Sequence, residues 1–275
     1  MTDRGTRVHC PAMSNPLLYA FFGLIVGALV GLTGVGGGSL MTPILVLVFG
    51  QSPAVAVGTD LMFSAATKLV ATASFGFSRR VDWRIVGRLM IGSVPATTAV
   101  MIWFWFEDRP PAVVDQLISR CLAVILAFAA VALLLQDPLR RLGLRFTAAW
   151  LQGTERHKIA LTVAGGALLG VGVSLTSVGA GALGVAVLVA LYPLRLPSDR
   201  LVATDIAHAL PITAMAAAGH AFLGHVNLRV LACLLVGSIP GVILATRATV
   251  RLPAHLTRTM IALMLALVSE RLFVS

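Results

Sequence analysis

The chain has 275 residues, of which 58% are hydrophobic and only 12% are charged. An ordinary soluble domain is about one quarter charged, so these charges are too few to cover a water-exposed surface of this size. Composition therefore excludes a soluble globular domain, a disordered chain and a collagen-like or disulfide-rich secreted protein. It indicates a protein that lies in a lipid bilayer.

The net charge is +10, from 21 Lys and Arg against 11 Asp and Glu. The basic residues stand in short clusters between apolar runs, as membrane topology requires, so we expect no nucleic-acid partner. The three cysteines are isolated, and no cluster of Cys and His has the spacing of metal ligands. The sequence predicts no metal site and no cofactor.

Apolar segments long enough to cross about 30 Å of hydrocarbon as helices recur along the chain. They fall near residues 17–49, 54–77, 85–106, 116–135, 158–192, 201–222, 229–247 and 254–274. The first and fifth have 33 and 35 residues and would overshoot the bilayer by roughly 20 Å as straight helices. Each must tilt, break or turn back. The glycines near the middle indicate where: Gly34, Gly36, Gly37 and Gly38 in one segment, and Gly170, Gly172, Gly179 and Gly181 in the other.

The two long segments begin two copies of one unit. The run 32–40 matches the run 175–183, and the later Thr-Asp pairs, Val-Asp and Val-Asn turns and Gly-Ser-Val/Ile-Pro segments align at an offset of 145 residues. We predict an all-α polytopic membrane protein of two homologous repeats, each with a Gly-broken or re-entrant first helix plus three transmembrane helices. The predicted parts are an N-terminal tail at 1–15, repeat 1 at 16–135, a basic cytoplasmic linker at 136–157 and repeat 2 at 158–275.

Two arrangements of the repeats are open. If each long segment is a single crossing, the copies are parallel, and the second half places more basic residues outside than inside, against the positive-inside rule. If each is a re-entrant hairpin that turns near the midplane, the copies are inverted and the cytoplasm gains these residues: Arg195, Arg200, Arg247, Arg251 and Arg258. Inverted repeats with interrupted helices are a common plan of secondary transporters. We favour this arrangement, with both termini outside.

Polar residues flank both glycine-rich breaks. A break at membrane depth leaves backbone N–H groups unpaired, and the half-helix after it points its positive dipole end inward, so two such ends could form a cradle for an anion. The alternative is that the glycines only permit close helix packing. We prefer the cradle because the breaks occupy equivalent repeat positions. The candidate substrate-binding residues are Thr33, Gly34, Gly36, Gly37, Gly38, Ser39, Thr176, Ser177, Gly179 and Gly181.

Asp60 and Asp205 form a symmetric pair, each directly after a threonine, Thr59 or Thr204, and early in an apolar segment. A carboxylate inside the bilayer is costly and normally faces a cavity or a partner. Each aspartate, with its threonine, is a candidate for coupling or substrate binding. The alternative is that it only caps the start of a helix.

Three further residues are candidates for coupling or substrate binding. Lys68 lies two turns after Asp60 and could pair with it or with the substrate, or else extend to the membrane surface. His208 and His220 share a segment with Asp205, and imidazole titrates near neutral pH, which suits proton-coupled transport. Packing inside the protein is the alternative for both histidines.

The paired breaks, each followed by a Thr-Asp step, a Val-Asp or Val-Asn turn and a Gly-Ser-Val/Ile-Pro segment, resemble the sulfite exporter (TauE/SafE) family of bacterial membrane permeases over residues 17–270. The runs 177–184 and 203–209 are the most specific part. Ala180 and Ala186 depart from the family pattern. The resemblance implies an inner-membrane permease that moves sulfite, sulfoacetate or related organosulfonates, often outward.

These observations predict a permease, not an enzyme, that moves a small anion by alternating access, with proton coupling left open. The resemblance implies that the anion contains sulfur and that it is exported. The expected partners are a small anion and the lipid bilayer. A homodimer is possible, although no particular face of the chain argues for it. Two alternatives remain: an intramembrane hydrolase that pairs Ser174 or Ser177 with His208 or His220, and a transporter of a different small solute.

Overall fold

The computed structural model describes residues 15–33, 38–75, 81–107, 110–136, 138–139, 141, 155–179, 181–247 and 254–274. These residues form ten α-helices and contain no strand. The first half holds α1 (Pro16–Thr33), α2 (Gly38–Leu47), α3 (Pro53–Phe75), α4 (Trp83–Trp105) and α5 (Pro111–Leu134). The second half holds α6 (Glu155–Thr176), α7 (Ala182–Leu191), α8 (Ser198–Phe222), α9 (Leu228–Arg247) and α10 (Ala254–Val274). The predicted all-α fold is confirmed.

Five of the described helices are long and apolar enough to cross a membrane: Trp83–Trp105, Pro111–Leu134, Arg156–Thr176, Arg200–Phe222 and Leu228–Ala245. Large apolar side chains are exposed on the outside, among them Phe128 and Leu168. Three charged side chains from apolar segments, those of Asp60, Lys68 and Asp205, are buried instead. A soluble protein shows the opposite distribution, so the molecule is a multi-pass membrane protein.

Each long apolar segment is a helical hairpin rather than one bent helix. In the second half, the hydroxyl groups of Thr162, early in α6, and Tyr192, just after α7, lie 2.7 Å apart. In the first half, the rings of Tyr19 and Phe49 stack at the equivalent place with centroids 4.0 Å apart. The start of one helix therefore meets the end of the next, so α6 and α7 are antiparallel, and α1 and α2 likewise. A turn back is what the re-entrant arrangement predicts.

The two halves contact each other through symmetric hydrogen bonds. The backbone N–H of Asn227, at the start of α9, donates to the hydroxyl oxygen of Thr59 in α3 at 3.0 Å. The backbone N–H of Asp82, at the start of α4, donates to the hydroxyl oxygen of Thr204 in α8 at 3.1 Å. Asp82 follows the end of α3 in the chain, and Thr204 lies near the start of α8. The hydrogen bond between them therefore places the start of α8 near the end of α3, so these two helices are antiparallel. This agrees with inverted repeats, whose sidedness in the membrane stays a prediction.

The first helix of each half packs on the fourth helix of the other half through small residues. In α1, Gly23, Gly27 and Gly31 lie against the backbone of α9 so closely that an added Cβ atom would overlap it. In α6, Gly166 and Gly170 lie in the same way against α4. Such spacing is typical of helices that pack tightly inside a membrane. Gly170 therefore serves helix packing, and the turn of this segment comes later, at residues 177–181.

Two predicted features fall partly outside the described residues. Of the first break, Gly34, Gly36 and Gly37 are not described, while Thr33 ends α1 and Gly38 and Ser39 begin α2. Most of the predicted tail at 1–15 and of the predicted linker at 136–157 also lies outside. The repeat and linker boundaries therefore stay predictions.

Candidate functional site

Asp60 and Asp205 are buried on α3 and α8, two helices that pack against each other across the halves. Their exposed fractions are 0% and 2%. Because α3 begins at Pro53 and α8 at Ser198, each aspartate lies two turns inside its helix. Capping the start of the helix therefore does not account for either carboxylate.

Asp60 accepts three hydrogen bonds from its own half. The backbone N–H and the hydroxyl of Thr42, in α2, both donate to Oδ2, at 3.0 and 2.5 Å. The hydroxyl of Ser64, one turn further along α3, donates to Oδ1 at 3.3 Å. The carboxylate thus ties the short returning helix of the first hairpin to α3.

Asp205 has a different environment from its symmetric counterpart. Its carboxylate lies against the Cα of Gly184, in the first turn of α7, at the place that a Cβ atom would fill. Only glycine permits this approach. The carboxylate also interacts electrostatically with Lys68 of α3. Each aspartate is therefore held near the first turns of a short hairpin helix, one by hydrogen bonds and the other by close packing.

Lys68 is a buried lysine that interacts with both aspartates. Its side chain is 2% exposed. The side chain therefore does not extend to the membrane surface. The repeat places Thr213 at the equivalent position of the second half, so two carboxylates face a single ammonium group.

The two histidines of α8 lie in different surroundings. His208 is buried, its Nε2 is 3.0 Å from the hydroxyl of Ser93 in α4, and it interacts electrostatically with Lys68. His220 lies 12 residues further, about 18 Å along the helix. Its Nε2 contacts the backbone oxygen of Ser174 at 2.9 Å, and its Nδ1 lies 3.4 Å from that of His225. The structure brings only His208 to the aspartates and Lys68.

The loop after α8 carries a further histidine that sequence reasoning did not select. Burial lowers the pKa of His225, and the negative charge of the nearby Asp115 opposes this shift. Asp115 also accepts a hydrogen bond from the backbone N–H of Ala54 at 3.0 Å. His225, Asp115 and Ala54 thus join the ends of three helices. They are separate from Asp60, Asp205 and Lys68.

The turn between α6 and α7 has an unusual backbone. Ser177 has a φ of 59°, and Gly179 and Gly181 have φ of 124° and 143°. The hydroxyl of Thr176 is used locally, since it donates to the backbone oxygen of Gly172 and accepts from the N–H of Val178. This turn ends α6 abruptly and starts α7 with Gly181 as its cap.

Ser177 is the polar residue of this turn that is left available. Its side chain is 1% exposed, and its hydroxyl makes no hydrogen bond of ordinary geometry among the residues that the structure describes. The Asp60 carboxylate is close enough to accept a weaker hydrogen bond from this hydroxyl. The second-half turn therefore meets the aspartate of the first half.

We use the name polar centre for the buried residues that meet at this place. They belong to both halves and comprise Thr42, Asp60, Ser64, Lys68, Ser93, Ser177, Asp205 and His208. Of these, sequence reasoning selected the two aspartates, Lys68, Ser177 and His208. It also selected Thr59 and Thr204, which instead accept the hydrogen bonds at the starts of α9 and α4. It missed Thr42, Ser64 and Ser93.

Comparison with known proteins identifies the family of the chain. The family model described as sulfite exporter TauE/SafE matches residues 19–272. The chain belongs to the TauE/SafE sulfite exporter family. A probable membrane transporter protein, YjnA of Bacillus subtilis, is 38% identical over 230 residues, which cover 83% of this chain and 88% of that protein. A second, YunE of the same organism, is 38% identical over 69 residues, 25% of each chain. No solved structure matches significantly.

Membership of the TauE/SafE family makes the chain a multi-pass membrane transporter of the bacterial inner membrane, not an enzyme. The pairs required by the hydrolase alternative also differ from what is found. His220 contacts the backbone oxygen of Ser174, while the Ser174 hydroxyl donates to the backbone oxygen of Gly170 at 2.7 Å, and His208 contacts Ser93. Within the described residues, no group of three His, Cys, Asp or Glu side chains could hold a metal ion.

Proposed function

We propose that this TauE/SafE transporter exports a small sulfur-containing oxyanion, such as sulfite, sulfoacetate or a related organosulfonate, and binds it in the polar centre. The observation that carries the proposal is the burial of an ammonium group, Lys68, together with the carboxylates of Asp60 and Asp205. The turn before α7 brings the Ser177 hydroxyl to the same place, beside Asp60. An anionic substrate could replace a carboxylate as the partner of this ammonium group, whereas a neutral solute could not.

The donors of the polar centre suit a sulfonate or sulfite group. The first N–H groups of α7, at Ala182 and Leu183, have no partner within the helix and lie at its positive end. An oxyanion bound here would accept hydrogen bonds from these groups and from the Ser177 hydroxyl, while Lys68 balances its charge. The equivalent residues of the first break, from Thr33 to Ser39, would complete the cradle from the other half.

Alternating access is supported by the relation of the two halves. The antiparallel pair α3 and α8 carries the aspartates, and each hairpin is packed on a helix of the opposite half. In such an arrangement, a rocking motion of one half against the other can expose a central site to either side in turn. Proton coupling through the aspartates and His208, outward direction and a homodimer remain parts of the proposal.

The experiment that tests the proposal is counterflow in liposomes that contain the purified protein. Radiolabelled sulfite and sulfoacetate are compared with sulfate and chloride, with and without a pH gradient. We expect saturable exchange of sulfite or sulfoacetate. If correctly inserted protein exchanges none of these anions, the substrate is a different small solute and the proposal is wrong.

A further inference from the structure

We infer that Asp60 and Asp205 are internal counter-anions, which occupy the donors of the polar centre when no substrate is bound and take up protons when the substrate anion replaces them. This inference rests on the proposed function, because it specifies how the same site binds an anion. It goes further in assigning a shared role to the two carboxylates and a number of protons to each anion.

The positions of the carboxylates support this role. Asp60 accepts the N–H and hydroxyl hydrogen bonds of Thr42 from α2 and lies near the Ser177 hydroxyl. Asp205 lies against the first turn of α7 at Gly184. These are the places where a helix attracts a negative group. Each hairpin helix therefore already has an anion at its first turns, supplied by the protein itself.

The balance of charges explains why protons must accompany the substrate. Among the described residues, the charged group that interacts with both carboxylates is Lys68 on α3, and His208 on α8 interacts with Lys68 in turn. Asp60 has hydroxyl neighbours in α2, at Thr42, and in the turn before α7, at Ser177, while Ser93 of α4 contacts His208. The helix α7, which packs on Asp205 at Gly184, has no titratable residue. With His208 neutral, two carboxylates and one ammonium leave the polar centre with one net negative charge. A further anion would be repelled by the carboxylates in these buried surroundings.

Protonation removes this repulsion. When one carboxylate takes a proton from water and becomes a neutral carboxylic acid, a monoanion can enter without any change in the net charge of the polar centre. A dianion requires that both aspartates become protonated. The number of protons taken up should therefore equal the charge of the bound anion, up to two.

The test measures proton uptake on anion binding by the full-length protein in lightly buffered detergent solution, with a pH indicator for protons and radiolabelled sulfoacetate for binding. Sulfoacetate is chosen because its charge stays constant between about pH 6 and 8. We expect close to two protons per anion for the wild type. Asp60→Asn and Asp205→Asn should each take up about one fewer, while the exposed Glu270→Gln should behave as the wild type.

A second readout separates this role from a merely structural one. Replacement of an aspartate with a structural role lowers the affinity of the protein for sulfoacetate, whereas replacement of a carboxylate that competes with the anion raises it. Each Asn variant should therefore bind sulfoacetate roughly tenfold more tightly than the wild type at pH 8. In the wild type, the apparent Kd for sulfoacetate should rise about tenfold for each unit of increase in pH and for each proton taken up. This measurement needs no variant and does not depend on how well the Asn variants fold.

Three results would overturn the inference. Binding by the wild type without proton uptake and with a Kd that is independent of pH would leave the transport proposal standing and remove the role of the aspartates. Unchanged proton uptake in both Asn variants would do the same. Failure of folded wild-type protein to bind sulfoacetate, sulfite or another organosulfonate at every pH would overturn the proposed function and this inference together.

Discussion

Ser177 is a proposed substrate-binding residue with an unusual backbone conformation. It is a residue other than glycine with a positive φ of 59°, and its buried hydroxyl makes no hydrogen bond of ordinary geometry among the described residues. The left-handed conformation costs roughly 1–2 kcal/mol for such a residue. A strained backbone beside a buried carboxylate is typical of functional positions, and we propose that this hydroxyl contacts the substrate.

Replacement of Ser177 by Ala or Gly should weaken anion binding. A hydrogen bond to a charged group contributes about 1.5–3 kcal/mol, so we expect the Kd to rise about tenfold or more in both variants. Ser177→Gly should also raise the unfolding temperature, since it relieves the positive φ. The measurements are equilibrium binding of sulfoacetate and thermal unfolding in detergent.

The control is Ser174→Ala, because that hydroxyl donates to Gly170 within its own helix. It should leave the Kd close to that of the wild type. Wild-type affinity in Ser177→Gly would show that this hydroxyl does not contact the substrate.

At the residue scale, sequence reasoning found the charged residues that lie inside apolar segments, because the free energy of burying a charge in a bilayer is high. Asp60, Asp205 and Lys68 stand out because a charge inside an apolar segment requires a reason. Thr42 and Ser93 could not be found in this way, since their roles depend on contacts 18 and 115 residues away along the chain. His220 was selected with His208, although the two have different neighbours, because a shared helix does not fix tertiary contacts.

At the scale of the helices, small residues decide how closely the halves approach. The predicted segments 17–49 and 158–192 each form two antiparallel helices, and their glycines have two separate uses. Gly179 and Gly181 have the positive φ of a turn, whereas Gly27 and Gly170 allow two helices to touch. Sequence composition located the breaks, but only tertiary packing separates these two uses.

Gly27→Ala should destabilise the protein, because the added Cβ would overlap the backbone of Ser238 in α9. Overpacking of this kind costs about 1–3 kcal/mol. The matched control is Gly87→Ala in α4, where an added Cβ would meet nothing within 4 Å. There the better helix propensity of alanine should stabilise the protein by up to about 1 kcal/mol.

Thermal unfolding of both variants in the same detergent is the measurement. Opposite shifts of the unfolding temperature are expected. Equal shifts would mean that the close contact between α1 and α9 does not contribute to stability.

At the scale of the whole molecule, the two halves contribute unequal parts to the polar centre. The repeat provides each half with a hairpin, an aspartate and a pair of packed helices. The repeat position of Lys68 holds a lysine only in the first half, and the repeat position of His208 holds a histidine only in the second half. The repeat could be recognised from sequence because it preserves short motifs. The direction of each copy could not, because the overall charge bias differed little between the parallel and inverted arrangements.

The inverted arrangement predicts that the loops after the two hairpins lie on opposite sides of the membrane. Ser52 and Leu194 are exposed in these loops. Single cysteines at these positions, in a protein whose native cysteines have been replaced, should react with an impermeant reagent from opposite sides, with position 52 outside and position 194 in the cytoplasm. Reaction of both from the same side would contradict inversion.

The central claim is that an anion binds in the polar centre and is balanced by Lys68. It is tested most directly by counterflow of radiolabelled sulfoacetate in liposomes that contain the wild type, Lys68→Gln or Lys68→Arg at equal, verified amounts of folded protein. The account predicts saturable exchange by the wild type, loss of exchange in Lys68→Gln, and partial exchange in Lys68→Arg, which keeps the charge. Full exchange by Lys68→Gln would contradict it, because the anion would then be bound without the buried cation of the polar centre.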